Sequence, residues 1–237
     1  MSEKVIGILG GMGPEATLDL FGKIIAHTPA VKDQDHLRVV IDSNPKVPDR
    51  TAAILRGGAS PVPAMKAGIE ALQRAGADFV VIPCVSAHFF LDELQREVGL
   101  PILSMFDVTA DYIRSKHPLI RKVGMLATTG TLQGARFREK LQASGIETIT
   151  PAGPDQERVM VSIYEIKGAA GGRGRGAIAI EVREIAGRLI QRGAQGVVAG
   201  CTEIPLVLKP GDFAVPVFDS LLLLARAAIA AAGRPPL

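Results

Sequence analysis

The chain has 237 residues, 47% hydrophobic and 22% charged, with 26 Gly, 16 Pro and no Trp. That profile excludes a disordered or fibrous protein and leaves room for one large or two small α/β domains. Twenty-seven basic against 24 acidic residues leave a net charge of +3, too diffuse for a nucleic-acid surface and weakly favourable to a small anionic substrate.

The N-terminal MSEKVIGILGGMG has an early acid, then a short apolar run and glycines. Neither a signal peptide nor a membrane span is readable there, so the expected compartment is the cytoplasm, with no membrane partner. In chain order the sequence predicts a strand at 5–9, a helix at 14–25, a strand at 37–41, a helix at 61–75, a strand at 79–82 and a helix at 88–98. A strand at 122–127, helices at 132–144 and 178–192, a strand at 196–199 and a helix at 221–232 follow. The strand runs are short, β-branched and largely non-alternating, as in parallel strands buried on both faces, and their alternation with helices implies right-handed βαβ units. The glycine-rich stretch 168–176, GAAGGRGRG, reads as a mobile loop rather than an RGG-like nucleic-acid contact, because it lacks interleaved aromatics.

A phrase occurs twice: Gly76-Ala77-x-x-Val80-Val81-x-x-Cys84 and Gly193-Ala194-x-x-Val197-Val198-x-x-Cys201. The same offset of 117 positions carries Gly7-Ile8-Leu9 onto Gly124-Met125-Leu126 and Gly13 onto Gly130. The expected fold is therefore α/β, with two pseudo-two-fold-related flavodoxin- or Rossmann-like half-domains, parallel sheets and a cleft between them. The N-terminal lobe is expected at 1–115 and the C-terminal lobe at 116–220, with SKHPLIR at 115–121 dividing them; the C-terminal helix within 221–237 could return to the first lobe.

The only two cysteines, Cys84 and Cys201, fall at matching strand ends, on the edge where doubly wound sheets bind ligands. In a reducing compartment they are expected to be free. One such cysteine would read as a small buried hydrophobe; two at equivalent positions point to paired chemistry. Each precedes a small hydroxyl residue, Ser86 or Thr202, and a helix start, which favours thiolate, and His88 is a candidate orienter. Two thiols flanking one ligand suit removal of an α-proton from one face and its return from the other. The resulting carbanion would need stabilisation by backbone N–H groups, by the hydroxyls of Ser86, Thr128, Thr129 and Thr202, and by a cation. Against this, Gly11-x-Gly13-x-x-Ala16 with Asp42 also fits a weak dinucleotide fingerprint, although glycine-rich turns of this kind hold carboxylates and phosphates too.

GGMGPEAT at 10–17, DSNPKVPDRT at 42–51, AGADFVVIPCVSAH at 75–88, IYEIKG at 163–168 and GCTEIPL at 200–206 together resemble the aspartate/glutamate racemase family, closest to its aspartate racemase branch. The resemblance implies an isomerase working without pyridoxal phosphate, other cofactor or metal, on an acidic amino acid, and often a homodimer. It implies Cys84 and Cys201 as the acid/base pair, Arg50 and Lys167 as ligands of substrate carboxylates, and Met12, Asn44 and Thr51 lining the pocket. The family usually reads Cys-Asn-Thr-Ala-His where this chain has Cys84-Val85-Ser86-Ala87-His88. Val85 supplies no hydrogen-bond donor, while Ser86 keeps one, so the departure bears on substrate choice. A racemase or cis-trans isomerase of a related dicarboxylate or other amino acid, a nucleotide-binding oxidoreductase and a non-catalytic carboxylate-binding protein are also compatible with the sequence.

Overall fold

A computed structural model describes residues 3–168 and 172–237. The chain divides into two compact units, Met1–Val108 with Leu221–Leu237, and Thr109–Ser220.

The first unit runs β1 (Ile6–Gly10), α1 (Pro14–His27), β2 (Val39–Ser43), α2 (Arg50–Arg56), α3 (Val62–Arg74), β3 (Phe79–Val81), a 3₁₀ turn at Ser86–Phe90 and α4 (Leu91–Glu97). Its sheet is parallel, ordered β2-β1-β3. Every residue of β1 is buried, as befits a central strand covered on both faces. α1 starts on Pro14 with Glu15 in its first turn, a proline whose missing N–H costs nothing there and an acid that suits the helix dipole. α3 buries Val62, Met65, Ile69 and Leu72, the spacing of one helical face. The second strand differs from its prediction: pairing runs from Ile6 with Val39 to Gly10 with Ser43, two residues beyond the apolar run. It is an edge strand and partly exposed, so it cannot be buried on both faces.

α5 (Met105–Lys116) spans the division. The second unit continues with β4 (Lys122–Ala127), α6 (Thr129–Gln133), α7 (Arg136–Ala143), β5 (Glu147–Ile149), α8 (Gly153–Ile166), α9 (Arg175–Gln191), β6 (Val197–Gly200) and β7 (Val217–Asp219). All pairings are parallel, in the order β5-β4-β6-β7. The helix expected at 132–144 is two, broken where Ala135 takes φ 65°. The predicted loop 168–176 ends early, because Arg175 already opens α9. Arg173 of that stretch binds Glu165 at 2.8 Å and Glu181 at 2.7 Å; residues 169–171 lie outside the described residues. α10 (Ser220–Ala231) leads to a tail whose Leu237 N–H donates to the His27 carbonyl.

The duplicated phrase is duplicated in three dimensions, unit by unit. Gly7 stands opposite Val80 and Gly124 opposite Val197. A Cβ on Gly7 would lie 2.9 Å from Ala77 and 3.4 Å from Leu72, and one on Gly124 would lie 2.9 Å from Leu189 and 3.5 Å from Ala194. Leu72 and Leu189, like Ala77 and Ala194, are themselves 117 positions apart. Glycine is required at both strands because the helix that leads into the neighbouring strand, α3 or α9, and its exit turn pack directly on the backbone.

Candidate active site

In the first unit the carboxyl ends of β1, β2 and β3 place three segments side by side. The turn after β1 is pinned by Thr17, whose hydroxyl accepts from Gly11 N–H at 2.9 Å and donates to the Gly13 carbonyl at 3.0 Å. Gly11 has φ +86°, and a Cβ there would stand 2.3 Å from the Asn44 carbonyl carbon. Only glycine allows so close a crossing of two loops. Asn44 turns its own side chain to Lys46 N–H at 2.9 Å.

Arg50 opens α2 after Asp49, whose carboxylate caps Ala52 N–H at 2.6 Å. Its guanidinium donates to the carbonyls of Val47 (3.1 Å), Pro48 (2.9 Å) and Met12 (3.2 Å), and its Nε has no partner among the described residues. Arg50 is 9% exposed, so it is no solvated surface charge. A buried cation held by neutral carbonyls keeps its charge available to an anion. Thr51 beside it is buried too, and α2 packs on the Ser86–Phe90 turn.

Cys84 follows β3, in one hydrophobic cluster with Met12 and Val47. Its Sγ lies 3.5 Å from the Ser86 hydroxyl. His88 does not orient the thiol. Its Nδ1 lies 2.9 Å from the Cys84 carbonyl, and its ring packs 5.4 Å from Phe106. Burial pushes the His88 pKa down against the opposing carbonyls and Asp107, so the ring stays neutral and braces the Cys84 peptide. Val85 is buried, and its side chain has no polar atom to offer. Asp42, the acid of the weak dinucleotide fingerprint, is turned onto α3, where a Cβ on Gly68 would meet its Oδ2 at 2.4 Å.

In the second unit Cys201 follows β6 and shares a core cluster with Ile163 and Ile166 of α8. Its Sγ donates to Glu203 Oε2 at 3.0 Å, and the Thr202 hydroxyl donates to the same oxygen at 3.2 Å. Lys167, the C-cap of α8, reaches Glu203 Oε1 at 3.5 Å. The expected thiolate is not favoured here: burial first, then the Glu203 charge, hold the Cys201 pKa well above its ordinary value, with Lys167 opposing. The segment behind Cys201 is a single 3₁₀ turn, Ile204–Leu206, too short for a helix dipole to offset desolvation. Glu203 is the residue that sequence reasoning passed over; its signal was its place two residues after a cysteine in GCTEIPL.

Thr128 caps α6, its hydroxyl accepting from Thr131 N–H at 3.2 Å, and the Thr129 hydroxyl accepts from Gln156 at 3.3 Å. The structure thus gathers Met12, Asn44, Arg50, Thr51, Cys84, Val85 and Ser86 at the strand ends of one unit, and Thr128, Thr129, Lys167, Cys201 and Thr202 in the other. Both thiols are free. Among the described residues no His, Cys, Asp and Glu cluster could hold a metal ion, and no helix is long and apolar enough to cross a membrane. A concavity of about 420 Å³ lined by Arg121, Arg138, Glu147 and Thr148 lies at the opposite ends of β4 and β5, away from the edge where such sheets bind ligands.

The family model for Asp/Glu/Hydantoin racemase matches residues 9–228. The chain belongs to this racemase family, and so to a family of isomerases. It is similar to the broad specificity amino-acid racemase RacX of Bacillus subtilis (strain 168), 27% identical over 95% of this chain and 96% of that protein. Among solved structures it resembles the Picrophilus torridus aspartate racemase, with TM-score 0.86, 31% identity and coverage of 99% of this chain and 96% of that one. An aspartate racemase homologue from Pyrococcus horikoshii OT3 follows, with TM-score 0.77, 30% identity and 98% and 100% coverage. Glutamate racemase RacE1 from Bacillus anthracis shares the fold at 18% identity, TM-score 0.62 and 98% and 84% coverage.

Proposed function

We propose that this racemase-family chain inverts aspartate, glutamate or both by proton transfer at Cα, with Cys84 and Cys201 as the two acid/base groups and no cofactor. The observation that carries the reading is a pair of buried free thiols at repeat-equivalent strand ends, each with a polar partner within 3.5 Å. In either direction a thiolate takes the Cα proton on one face, and the other thiol delivers its proton to the opposite face. One proton is removed, one returned, and the configuration inverts. Arg50, with an unspent Nε–H, and Lys167 are the cations assigned to the substrate carboxylates. Met12, Asn44, Thr51 and Ser86 are assigned to the side of the first thiol, and Thr128, Thr129 and Thr202 to that of the second, with their N–H and O–H groups serving the developing carbanion. A cytoplasmic homodimer belongs to the same reading, and sedimentation of the purified protein tests the dimer.

Val85 favours one extension. The Val at this position removes a hydrogen bond to the substrate's α-carboxylate that the family's usual Asn would make, and the reading extends to other amino acids and related dicarboxylates, in keeping with the likeness to a broad-specificity racemase. Incubation with L-aspartate in heavy water is expected to yield D-aspartate carrying deuterium at Cα, and Cys84→Ser or Cys201→Ser to end inversion. Absence of exchange and inversion with every acidic amino acid would sink the proposal, and full racemisation by either single variant would remove the two-thiol mechanism.

A further inference from the structure

Cys84 and Cys201 sit at equivalent strand ends but in unlike company. Cys84 meets a neutral hydroxyl at 3.5 Å. Cys201 meets a carboxylate at 3.0 Å, and that carboxylate is 2% exposed, takes a second hydrogen bond from Thr202 and an ion pair from Lys167. Resting on the racemase reading above, we propose that Glu203 is a positioning residue that keeps Cys201 a protonated thiol in the resting protein, leaving Cys84 to act first as the base.

A carboxylate paired with Lys167 only accepts hydrogen bonds, so the 3.0 Å contact is the one an S–H donor makes. A Cys201 thiolate would set two anions against each other where little water screens them. Lys167 offsets one of those charges, and does so from the far oxygen of Glu203. The charged residue of the adjoining strand, Asp219 opposite Ala199, adds no positive charge. Burial acts in the same direction as Glu203.

The assignment orders the proton steps. For the enantiomer whose Cα–H faces it, Cys84 thiolate takes the Cα proton and becomes a thiol, while Cys201 gives its S–H proton to the other face and becomes a thiolate. The second anion, beside Glu203, is the less stable of the two. Cys201 therefore regains a proton from water and Cys84 releases one to it, which restores the resting pair.

The test is alkylation of the whole protein with iodoacetamide across pH, each cysteine followed separately by peptide mass spectrometry. In the wild type Cys84 is expected to react with a lower pH midpoint than Cys201. Glu203→Gln should lower the Cys201 midpoint by roughly 1 to 3 pH units, the effect of removing a like charge at contact distance, and leave that of Cys84 in place. Lys167→Met, which removes the opposing cation, should raise it. An unmoved Cys201 midpoint in Glu203→Gln, a fall in Lys167→Met, or a wild-type Cys201 that reacts below Cys84 overturns the proposal. Labelling needs no turnover, so the predicted shifts in a protein that racemises nothing would support Glu203's hold on Cys201 while sinking the racemase reading.

Discussion

Replacing Arg50 by lysine keeps the charge and removes the geometry. The guanidinium holds three carbonyls, those of Val47, Pro48 and Met12, at 3.1, 2.9 and 3.2 Å. It thereby ties the turn after β1 to the loop after β2. A lysine ammonium is a single point and can meet one of these carbonyls well, leaving two bonds unmade. At about 1.5 kcal/mol each, the low end for bonds to a charged group, the expected loss is about 3 kcal/mol. Urea unfolding followed by far-ultraviolet circular dichroism measures it, at unchanged m-value. The same substitution removes the free Nε–H, so kcat/KM for aspartate racemisation is expected to fall about ten- to a hundredfold beyond any loss of folded protein. Stability within about 0.5 kcal/mol of wild type, the range of an ordinary surface change, together with unaltered kcat/KM, would refute both the structural and the catalytic part of the reasoning.

Gly11→Ala places a Cβ 2.3 Å from the Asn44 backbone at φ +86°, and should lower the thermal midpoint by the equivalent of about 1 to 3 kcal/mol; an unchanged melt would mean that the two loops separate at no cost. Val85→Asn supplies the missing donor and is expected to raise kcat/KM for aspartate by about tenfold, whereas unchanged kinetics would place residue 85 out of contact with the substrate. Glu181, hydrogen-bonded first by Arg173 and then by Arg158 and Ser162, has its pKa lowered from 4.5 to about 2. Because the folded value is the lower one, its stabilisation is complete above pH 4.5 and is lost as pH falls towards 2. Glu181→Gln should therefore flatten the acid side of the thermal stability profile, and a profile as steep as wild type would contradict the assignment.

Long apolar runs and the cysteine phrase were legible in the sequence because their patterns belong to single elements: 122–127 is a strand as predicted, and Leu72 and Leu189 pack on glycines that the repeat had already paired. β5 and β7 escaped because each is three residues that include an acid, Glu147 or Asp219, and lies in no longer apolar run, so pairing with β4 and β6 rather than local pattern creates them. α8 escaped as well, although IYEIKG marks its end, since Gly153 and Pro154 at its start read as loop residues until their place in the first turn is seen. The role of His88 was misread for a similar reason. Sequence proximity to Cys84 suggested a thiol partner, but four residues of tight turn bring the ring to the peptide carbonyl, and burial then keeps it neutral.

The repeat preserves scaffold more strictly than chemistry. The helix-on-strand contact recurs at the same offset in both units, down to Ala77 and Ala194 beside Gly7 and Gly124, because a methyl-sized error there costs packing energy in either unit. Two residues after each cysteine the constraint is different: Ser86 stands in one unit and Glu203 in the other. A reaction that removes a proton from one face and returns it to the other does not need two identical groups. It needs one thiol without its proton and one with it at the same moment. On the proposed two-thiol mechanism, the neutral hydroxyl beside Cys84 and the buried carboxylate beside Cys201 are what would supply that difference.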